Sequence, residues 1–378
     1  MRIAGVAGAV WGVGGWLATA GAAAWAGEPP PAAAAKPTFH VETLATGVYG
    51  LIRDDLPGFL VNSNVLVVVN EDDVLVVDAN YTPASAEASI AAIRKLTPKP
   101  VRFLVETHWH TDHSSGAQAY VAAYPGVEIV AHPFTRDALV SRGAETAKEW
   151  AEGFPGLGQE LRDAIASGKS FTGAELTPEE RAAYASDAAI ADDFSAGAAA
   201  IRVVAPTLTV EDRLVLHRGE RTIEIRRLGD SHTKGDLVVW LPKEGVVATG
   251  DMVVAPIPLI GADQSQVVAW PRTLDALLAL QPKTIVPGHG PVLHDDAYVR
   301  LLRDFLDAAV AEGRRAIARG DGLEPAKKAI RLDDFRARMA GANAELRFLF
   351  AVYGIGPTLG ALYRDEGPAP PPAAPAPN

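Results

Sequence analysis

One six-residue run, His-Trp-His-Thr-Asp-His starting at position 108, places the strongest constraint on the fold of this chain. It directly follows the apolar run at 101–105, which has the length and composition of a buried strand. On an extended segment His108 and His110 point to the same side, while Asp112 and His113 follow a turn and can face a second point nearby. Imidazole suits zinc and iron, and a carboxylate adds the negative charge that a second cation requires. The run therefore predicts a metal centre at the end of a strand.

Three further motifs carry histidine or aspartate next to a predicted strand. They are Leu-Gly-Asp-Ser-His-Thr-Lys-Gly-Asp at 228–236, Val-Val-Ala-Thr-Gly-Asp at 246–251 and Thr-Ile-Val-Pro-Gly-His-Gly at 284–290. Together with the first run they contain five of the nine histidines, which a chance cluster of surface histidines does not explain. In this order the motifs resemble the HxHxDH signature and the later ligand loops of the metallo-β-lactamase superfamily, over roughly residues 40–295.

The resemblance implies two metal ions, each held by three side chains of its own and joined by one shared carboxylate. The first metal would be held by His108, His110 and His232. The second would be held by Asp112, His113 and His289. The shared carboxylate would be Asp251. The implied cofactors are two divalent cations, zinc first, with iron or manganese as alternatives because such ligands accept each of them. The pair activates water as hydroxide for attack on a carbonyl, and Asp112 is the catalytic residue that orients it.

The order of strand and helix patterns indicates an α/β fold. Apolar runs at 64–69 and 74–78 predict a hairpin, and a helical pattern at 83–96 precedes strands at 101–105 and 127–131. The order is repeated more loosely in the second half of the chain, which predicts two sheets flanked by helices. The resemblance implies the four-layer αββα sandwich of the superfamily over residues 38–298.

Two helical additions to this core are predicted. Residues 133–200 are rich in Ala, Glu and Asp and have no strand pattern, so we expect a helical insertion, either a lid over the metals or a solvated spacer. Residues 299–364 have apolar residues at helical spacing and predict a C-terminal helical segment. The Pro/Ala-rich residues 365–378 predict a disordered tail.

The N-terminus has the pattern of a secretory signal peptide. Arg2 precedes a weakly apolar stretch, and Ala24-Trp25-Ala26 has the form of a cleavage site, so residues 1–26 predict a signal peptide and 27–37 a flexible leader. The alternative is an uncleaved membrane anchor. Cleavage implies a periplasmic or secreted bacterial protein.

Composition narrows the choice of partners. The chain has no cysteine, which excludes disulfides and a lipoprotein anchor on cysteine. A net charge of −11 speaks against nucleic acid or an anionic membrane as a partner. We therefore expect a small-molecule substrate, no nucleic acid and no stable membrane insertion after signal cleavage. The sequence does not indicate an oligomeric state.

Several other residues have a possible place at the site. Asp78 resembles the buried aspartate with which the superfamily orders its ligand loop, and the alternative is an ordinary turn residue at a strand end. Asp236 matches a structural position, and His132 is either close to the site or simply hydrogen-bonded. Trp109 and Trp270 either line a pocket or pack in the core. The remaining histidines are expected on the surface or in packing: His40, His217 and His294.

The implied function is hydrolysis of a carbonyl substrate, which is a β-lactam, lactone, ester or thioester. Asp251 stands where one subclass of zinc β-lactamases has cysteine, and Val254 where that subclass has a substrate-binding lysine. Recognition of a carboxylate would then come from Lys234 or from an arginine of the insertion. Two alternatives from other classes are a mononuclear-iron sulfur dioxygenase and a catalytically idle metal-binding scaffold.

Overall fold

Two β-sheets form the centre of the computed structural model, which describes residues 39–60 and 62–367. The first sheet has seven strands in chain order, β1 (Phe39–Ala45), β2 (Val48–Arg53), β3 (Val65–Val69), β4 (Val74–Val77), β5 (Val101–Val105), β6 (Glu128–Ala131) and β7 (Leu208–Thr209). Neighbours are antiparallel from β1 to β4 and parallel from β4 to β7. The parallel pairs bring the ends of β4, β5 and β6 to the same edge of the sheet.

The second sheet has five strands. They are β8 (Arg213–Arg218), β9 (Arg221–Arg226), β10 (Val238–Leu241), β11 (Val246–Val254) and β12 (Thr284–His289). Their spatial order is β12, β11, β10, β9, β8, with β11 and β12 parallel and the other neighbours antiparallel. The predicted strands at 101–105 and 246–251 are confirmed, and β11 runs three residues further than its motif.

Helices cover the outer faces of both sheets. In chain order they are α1 (Pro83–Leu96), α2 (Thr111–Ser114), α3 (Ala117–Ala123), α4 (Pro133–Ala138), α5 (Ala144–Ser167), α6 (Pro178–Ala198), α7 (Trp270–Leu278), α8 (Ala297–Ala318), α9 (Leu323–Ala329), α10 (Asp333–Ala340), α11 (Ala344–Leu349) and α12 (Gly356–Glu366). Helix α1 has the predicted bounds. A reciprocal cap between Thr82 and Ser85 and a proline at its first turn fix its start.

Alternation along the strands divides the core into layers. In β3, Leu66 and Val68 pack with residues of the second sheet such as Ile223, so they lie between the sheets. Val65 and Val67 point the other way and belong to the cluster that includes Ile90 and Ile93 of α1. Side chains of β10 and β11 on the outer face of the second sheet pack with those of α7 and α8. The predicted four-layer αββα sandwich is confirmed.

The insertion is helical, as predicted, and it packs on the core. Helices α5 and α6 meet through an aromatic cluster in which Phe154 and Phe194 have ring centroids 4.6 Å apart. Asp187 of α6 is buried and accepts hydrogen bonds from the backbone N–H groups of Phe59 and Leu60, at 2.8 and 3.1 Å. These bonds join the insertion to the segment that follows β2.

The C-terminal helical segment runs from Ala297 to Glu366, slightly longer at both ends than the predicted 299–364. One described stretch, Ala344–Glu366, meets the length and composition of a membrane-spanning helix, and half of it is buried within this chain. Helix α12 in this stretch packs against α8. The predicted signal peptide, the leader and all but the first three residues of the predicted tail (365–378) lie outside the described residues.

Candidate metal centre

All seven predicted ligands converge and are buried. The segment after β5 supplies four of them: His108, His110, Asp112 and His113. The other three are His232 from the loop between β9 and β10, Asp251 from β11 and His289 from the end of β12. His110 is the N-cap of the short helix α2, so Asp112 and His113 leave the extended path and turn toward a second point. The structure therefore brings together the set that the sequence predicts.

Three imidazole nitrogens form the first ligand group. His110 Nδ1 lies 2.9 Å from His108 Nε2 and 3.0 Å from His232 Nε2. Asp251 Oδ2 completes the group, 3.5 Å from His232 Nε2 and 3.9 Å from His108 Nε2. The four atoms thus surround one point.

The second ligand group differs from the first because the carboxylate of Asp112 replaces one of the three imidazoles. Asp112 Oδ2 lies 3.4 Å from His113 Nε2 and 3.1 Å from His289 Nε2. Asp251 directs its other oxygen here, with Oδ1 3.2 Å from each of the same two nitrogens. The carboxylate of Asp251 therefore lies between the two groups and faces both.

The donor sets fit metal ions on two independent observations. Four ligands at about 2.0–2.1 Å from a tetrahedral ion stand roughly 3.3 Å apart, and the spacings in both groups are close to this. In addition, the carboxylates of Asp112 and Asp251 are buried together and face histidine nitrogens. Two neighbouring buried carboxylates are costly unless positive charge neutralises them. The seven side chains therefore fit two divalent cations.

Burial and the two carboxylates set the protonation of the histidines. Burial lowers the pKa of His110 to about 3, so its ring is neutral and offers a lone pair. Burial also lowers the pKa of His289, but the negative charges of Asp251 and Asp112 outweigh this effect and raise that pKa to about 9. The same carboxylates raise the pKa of His113. A cation entering the second group would therefore displace protons from these histidines.

Asp78 has the role that the resemblance implies. It lies just after β4, is buried, and its Oδ2 is 2.8 Å from His113 Nδ1. The same carboxylate accepts hydrogen bonds from the backbone N–H and the hydroxyl of Thr107. The Thr107 hydroxyl in turn lies 3.1 Å from His108 Nδ1. Asp78 thus orients one ligand of each group, directly for His113 and through Thr107 for His108.

Backbone carbonyls orient two further ligands. His232 Nδ1 donates to the carbonyl of Leu259 at 3.0 Å, and His289 Nδ1 donates to that of Asn62 at 3.1 Å. Asp236 is structural, as predicted, because it accepts hydrogen bonds from Ser231 and Thr233 on both sides of His232. In His108, His113, His232 and His289, Nδ1 is therefore held by a hydrogen bond and Nε2 points at the ligand groups.

Gln264 orients His110, and no sequence pattern predicted it. Its amide nitrogen lies 2.6 Å from His110 Nε2, and its amide oxygen is buried with no partner among the described residues. Since His110 directs Nδ1 at the first group, a metal there leaves the ring hydrogen on Nε2. Two N–H groups cannot bond to each other, so the oxygen and nitrogen of the Gln264 amide are exchanged. The amide oxygen then accepts the hydrogen of His110 Nε2.

The profile of one family matches this chain over residues 58–289, which is more than half of its length. That family is the metallo-beta-lactamase superfamily. The chain belongs to this superfamily. The match begins just before Asn62 and ends at His289, so it spans every ligand of the centre.

Three superfamily proteins with sequence similarity to the chain have different activities. A linear primary-alkylsulfatase of Pseudomonas sp. is 27% identical over 253 residues, 63% of this chain and 43% of its own length. A metallo-beta-lactamase type 2 of Bacteroides fragilis is 32% identical over 83 residues, 21% of this chain and 33% of its own. A hydroxyacylglutathione hydrolase of Cronobacter sakazakii is 33% identical over 110 residues, 29% of this chain and 39% of its own. The chain spans less than half the length of each.

Solved structures of superfamily members resemble the fold. The stereoselective inverting sec-alkylsulfatase Pisa1 from Pseudomonas sp. has a TM-score of 0.61 and 17% identity, covering 87% of this chain and 50% of its own. The DIM-1 metallo-beta-lactamase has a TM-score of 0.48 and 19% identity, covering 72% of this chain and 99% of its own. At these identities the likeness to Pisa1 shows the superfamily fold alone.

The remaining candidates lie outside the two ligand groups. His132 caps α4, with Nδ1 accepting from the N–H of Phe134 at 3.0 Å. Trp270 is fully buried core beneath His232, and its Nε1 donates to the carbonyl of Met252. His40, His217 and His294 carry no ligand role in either group. Of the two tryptophans singled out from the sequence, Trp109 lines a cleft.

Two clefts open beside the centre, and they differ in chemistry. The His289 cleft, of about 40 Å³, is lined by His289, by apolar residues that include Ile257 and Leu259, and by the ion pair of Arg53 and Asp55. The Arg142 cleft, of about 180 Å³, lies on the side of the first ligand group and is lined by residues of the insertion as well as the core. Its members include Trp109, His110, Arg142, Glu149, Trp150 and Gln264. The insertion therefore forms one wall of the approach to the centre.

Proposed function

We propose that the protein is a dinuclear metal-dependent hydrolase that cleaves a small carbonyl substrate, which is a β-lactam, a lactone, an ester or a thioester. The observation that carries the proposal is the position of the Asp251 carboxylate, with Oδ2 in the first ligand group and Oδ1 in the second. A mononuclear iron dioxygenase would leave the second group without a function. Zinc is the proposed metal because it accepts histidine and carboxylate ligands and can expand from four to five ligands, which admits water or substrate, and iron or manganese are the alternatives.

Two divalent cations, when bound, supply the Lewis acidity that activates water near neutral pH and polarises a carbonyl group. The chain supplies the orientation. Asp112 directs Oδ2 at His113 and His289, while no described residue donates a hydrogen bond to Oδ1. Oδ1 is therefore the atom that orients an attacking water and accepts its proton.

The His289 cleft supports a substrate with a small apolar group next to the scissile bond. Its walls combine aliphatic residues of the β11–α7 connection with Leu349 and Tyr353 from the C-terminal segment. Tyr353 is fixed by its hydroxyl, which donates to the carbonyl of Phe59 at 2.9 Å. Burial of an alkyl or acyl group there contributes about 25 cal/mol per Å² of apolar surface removed from water.

A sulfate ester is the second candidate substrate. The alkylsulfatase of Pseudomonas sp. is the relative that aligns with most of this chain among the three described above, 63% of it. The aliphatic wall of the small His289 cleft is equally suited to the first carbons of an alkyl group. Attack would then take place at sulfur or at the carbon bearing the sulfate, and the protein would release sulfate and an alcohol.

The decisive experiment measures hydrolysis by the purified, zinc-loaded protein. The substrates are a chromogenic cephalosporin, p-nitrophenyl butyrate, a γ-lactone and an alkyl sulfate, and metal content is measured in the same samples. Asp112→Asn is the test variant, and His217→Ala, which changes an exposed histidine outside the centre, is its matched control. We expect two metals per chain and turnover of at least one carbonyl substrate that Asp112→Asn lowers at least 100-fold.

Other outcomes identify the alternatives. Turnover of the alkyl sulfate alone would favour the second candidate. One tightly bound iron with oxygen uptake on a sulfur compound would favour the dioxygenase. Two bound metals, no turnover and no phenotype for Asp112→Asn in the source organism would favour the idle scaffold.

We also propose that the protein is exported to the periplasm or secreted. The support is the sequence pattern of residues 1–26. N-terminal sequencing of the protein from cell fractions tests it. A mature chain that begins at Gly27 in the periplasmic fraction is the expected result, and a full-length chain retained in the cytoplasm or membrane would contradict the proposal.

A further inference from the structure

Arg142 projects from the insertion into the Arg142 cleft. It lies in a single π-helical turn, Leu139–Gly143, between α4 and α5. Such turns are rare and frequently occur at functional sites, because the extra residue redirects the side chains around it. Here the turn places Arg142 over the ring of Trp109, with the guanidinium carbon 3.9 Å from the ring centroid.

The Trp109 ring connects Arg142 to the metal centre. Trp109 lies between two ligands in sequence, and its ring centroid is 4.8 Å from that of His110. Trp109 also packs against Ala138 and Leu139, so it forms a fixed platform rather than a mobile rim residue. A guanidinium stacked on such a platform keeps its plane while the N–H groups along its edge stay available.

Arg142 makes no ion pair at salt-bridge distance among the described residues. Glu145, Glu149 and Asp263 also line the cleft, and of these three Asp263 is close enough to Arg142 for an electrostatic interaction. Both glutamates are exposed, whereas Arg142 is half-buried. An arginine in this condition can bind an oxyanion through two parallel N–H donors.

We propose that Arg142 binds an anionic group of the substrate, a carboxylate or a sulfate-type oxyanion, and thereby determines specificity. The inference rests on the proposed function, since it assumes that the scissile bond lies at the two ligand groups. The anionic group would then lie on the side of His110, and the apolar group in the His289 cleft. Lys234, the other residue that the sequence offered for this role, is exposed and lines neither cleft.

Kinetics on a matched pair of esters tests this role. The neutral substrate is p-nitrophenyl butyrate, and the anionic one is the mono-p-nitrophenyl ester of succinate. Arg142→Gln should lower the ratio of kcat/KM for the anionic over the neutral ester by about tenfold, mainly through KM, and Arg142→Lys should restore part of it. Lys234→Gln, which removes the same charge outside the clefts, should leave the ratio unchanged.

A binding measurement separates this inference from the proposed function. Butyrate and 1-butanesulfonate, which cannot be hydrolysed, are titrated into the metal-loaded protein and into Arg142→Gln with the same metal content, with tryptophan fluorescence as the readout. Weaker binding of either anion to the variant, by about tenfold, supports the inference even if no ester is turned over. The anion that shows the larger loss identifies the preferred group. Equal binding by both proteins, or an ester preference lost only in Lys234→Gln, would overturn it.

Discussion

Gly288 lies directly against the carboxylate of Asp251. A Cβ atom added to Gly288 would come 2.0 Å from Asp251 Oδ1, the oxygen that faces His113 and His289. Gly288 belongs to β12, which is parallel to the strand that carries Asp251. The position of the shared carboxylate is therefore set by the absence of a side chain on the neighbouring strand.

Gly288→Ala should displace the Asp251 carboxylate and lower metal occupancy of the second ligand group. We expect binding of that metal to weaken tenfold or more, with a similar loss of activity, because the carboxylate cannot keep its place beside a new methyl group. Metal analysis after dialysis against a weak chelator measures this. Gly153→Ala in α5 is the control, since a Cβ there meets no atom within 4 Å. Two retained metals in Gly288→Ala would show that the strands move apart freely.

His232→Ala, like His108→Ala, should remove the metal of the first group and nearly all activity. Each change deletes one of the two imidazole nitrogens that lie 2.9 and 3.0 Å from His110 Nδ1. Metal content per chain and kcat/KM are the measurements, with His217→Ala as the matched histidine control. Full turnover in either variant would refute the ligand assignment.

Asp78→Asn should weaken the second metal by about 10- to 100-fold. The amide cannot accept both from His113 Nδ1 and from the two donors of Thr107, so the ring of His113 loses its fixed orientation. Competition with a chromogenic chelator measures the affinity. Asp72→Asn in the exposed β3–β4 turn is the control. An unchanged affinity would mean that packing alone orients His113.

Stability should fall as the pH rises toward 8, partly because of Glu345. Its carboxylate is buried without a hydrogen-bond partner among the described residues, and burial, with Asp187 and Glu180 nearby, raises its pKa from 4.5 to about 8. Between these values the folded state holds a proton that the unfolded state releases. The free energy of unfolding therefore falls by about 1.4 kcal/mol per pH unit from this group alone.

Glu345→Gln removes this titration, so its melting temperature should fall less steeply than that of the parent protein between pH 6 and 8.5. At pH 5 the two proteins should be similar, because neutral Glu and Gln have the same shape. Thermal melts at constant metal concentration test the prediction. Parallel pH profiles would show that Glu345 ionises freely in the folded protein.

The ligands were predictable because their motifs match, in order, those of the superfamily, and the resemblance implied the role of each. The run from His108 to His113 contains four of them, and the parallel pairing of β11 with β12 brings Asp251 and His289 to the same edge of the fold. Asp78 was predictable for the same reason. These positions depend on local spacing and on the order of strands.

The residues that orient the ligands or line the clefts were harder to find. Gln264 and Asn62 reach the site from irregular segments, and their contacts depend on long-range packing rather than on periodicity. Arg142 depends on a π-helical turn that has no sequence signature. Thr107 could have been proposed, since it adjoins the histidine run and carries the hydroxyl that Asp78 needs.

The bonds from Asp187 to Phe59 and Leu60 have a consequence for how the protein could be shortened. Asp187 is 128 residues from Phe59 in the chain, yet it satisfies two buried N–H groups just before Asn62, whose carbonyl fixes His289. Excision of α5 and α6 would leave those two N–H groups without an acceptor and loosen the segment that positions His289. A shortened protein that keeps the metal centre would therefore need a new acceptor in the place of Asp187.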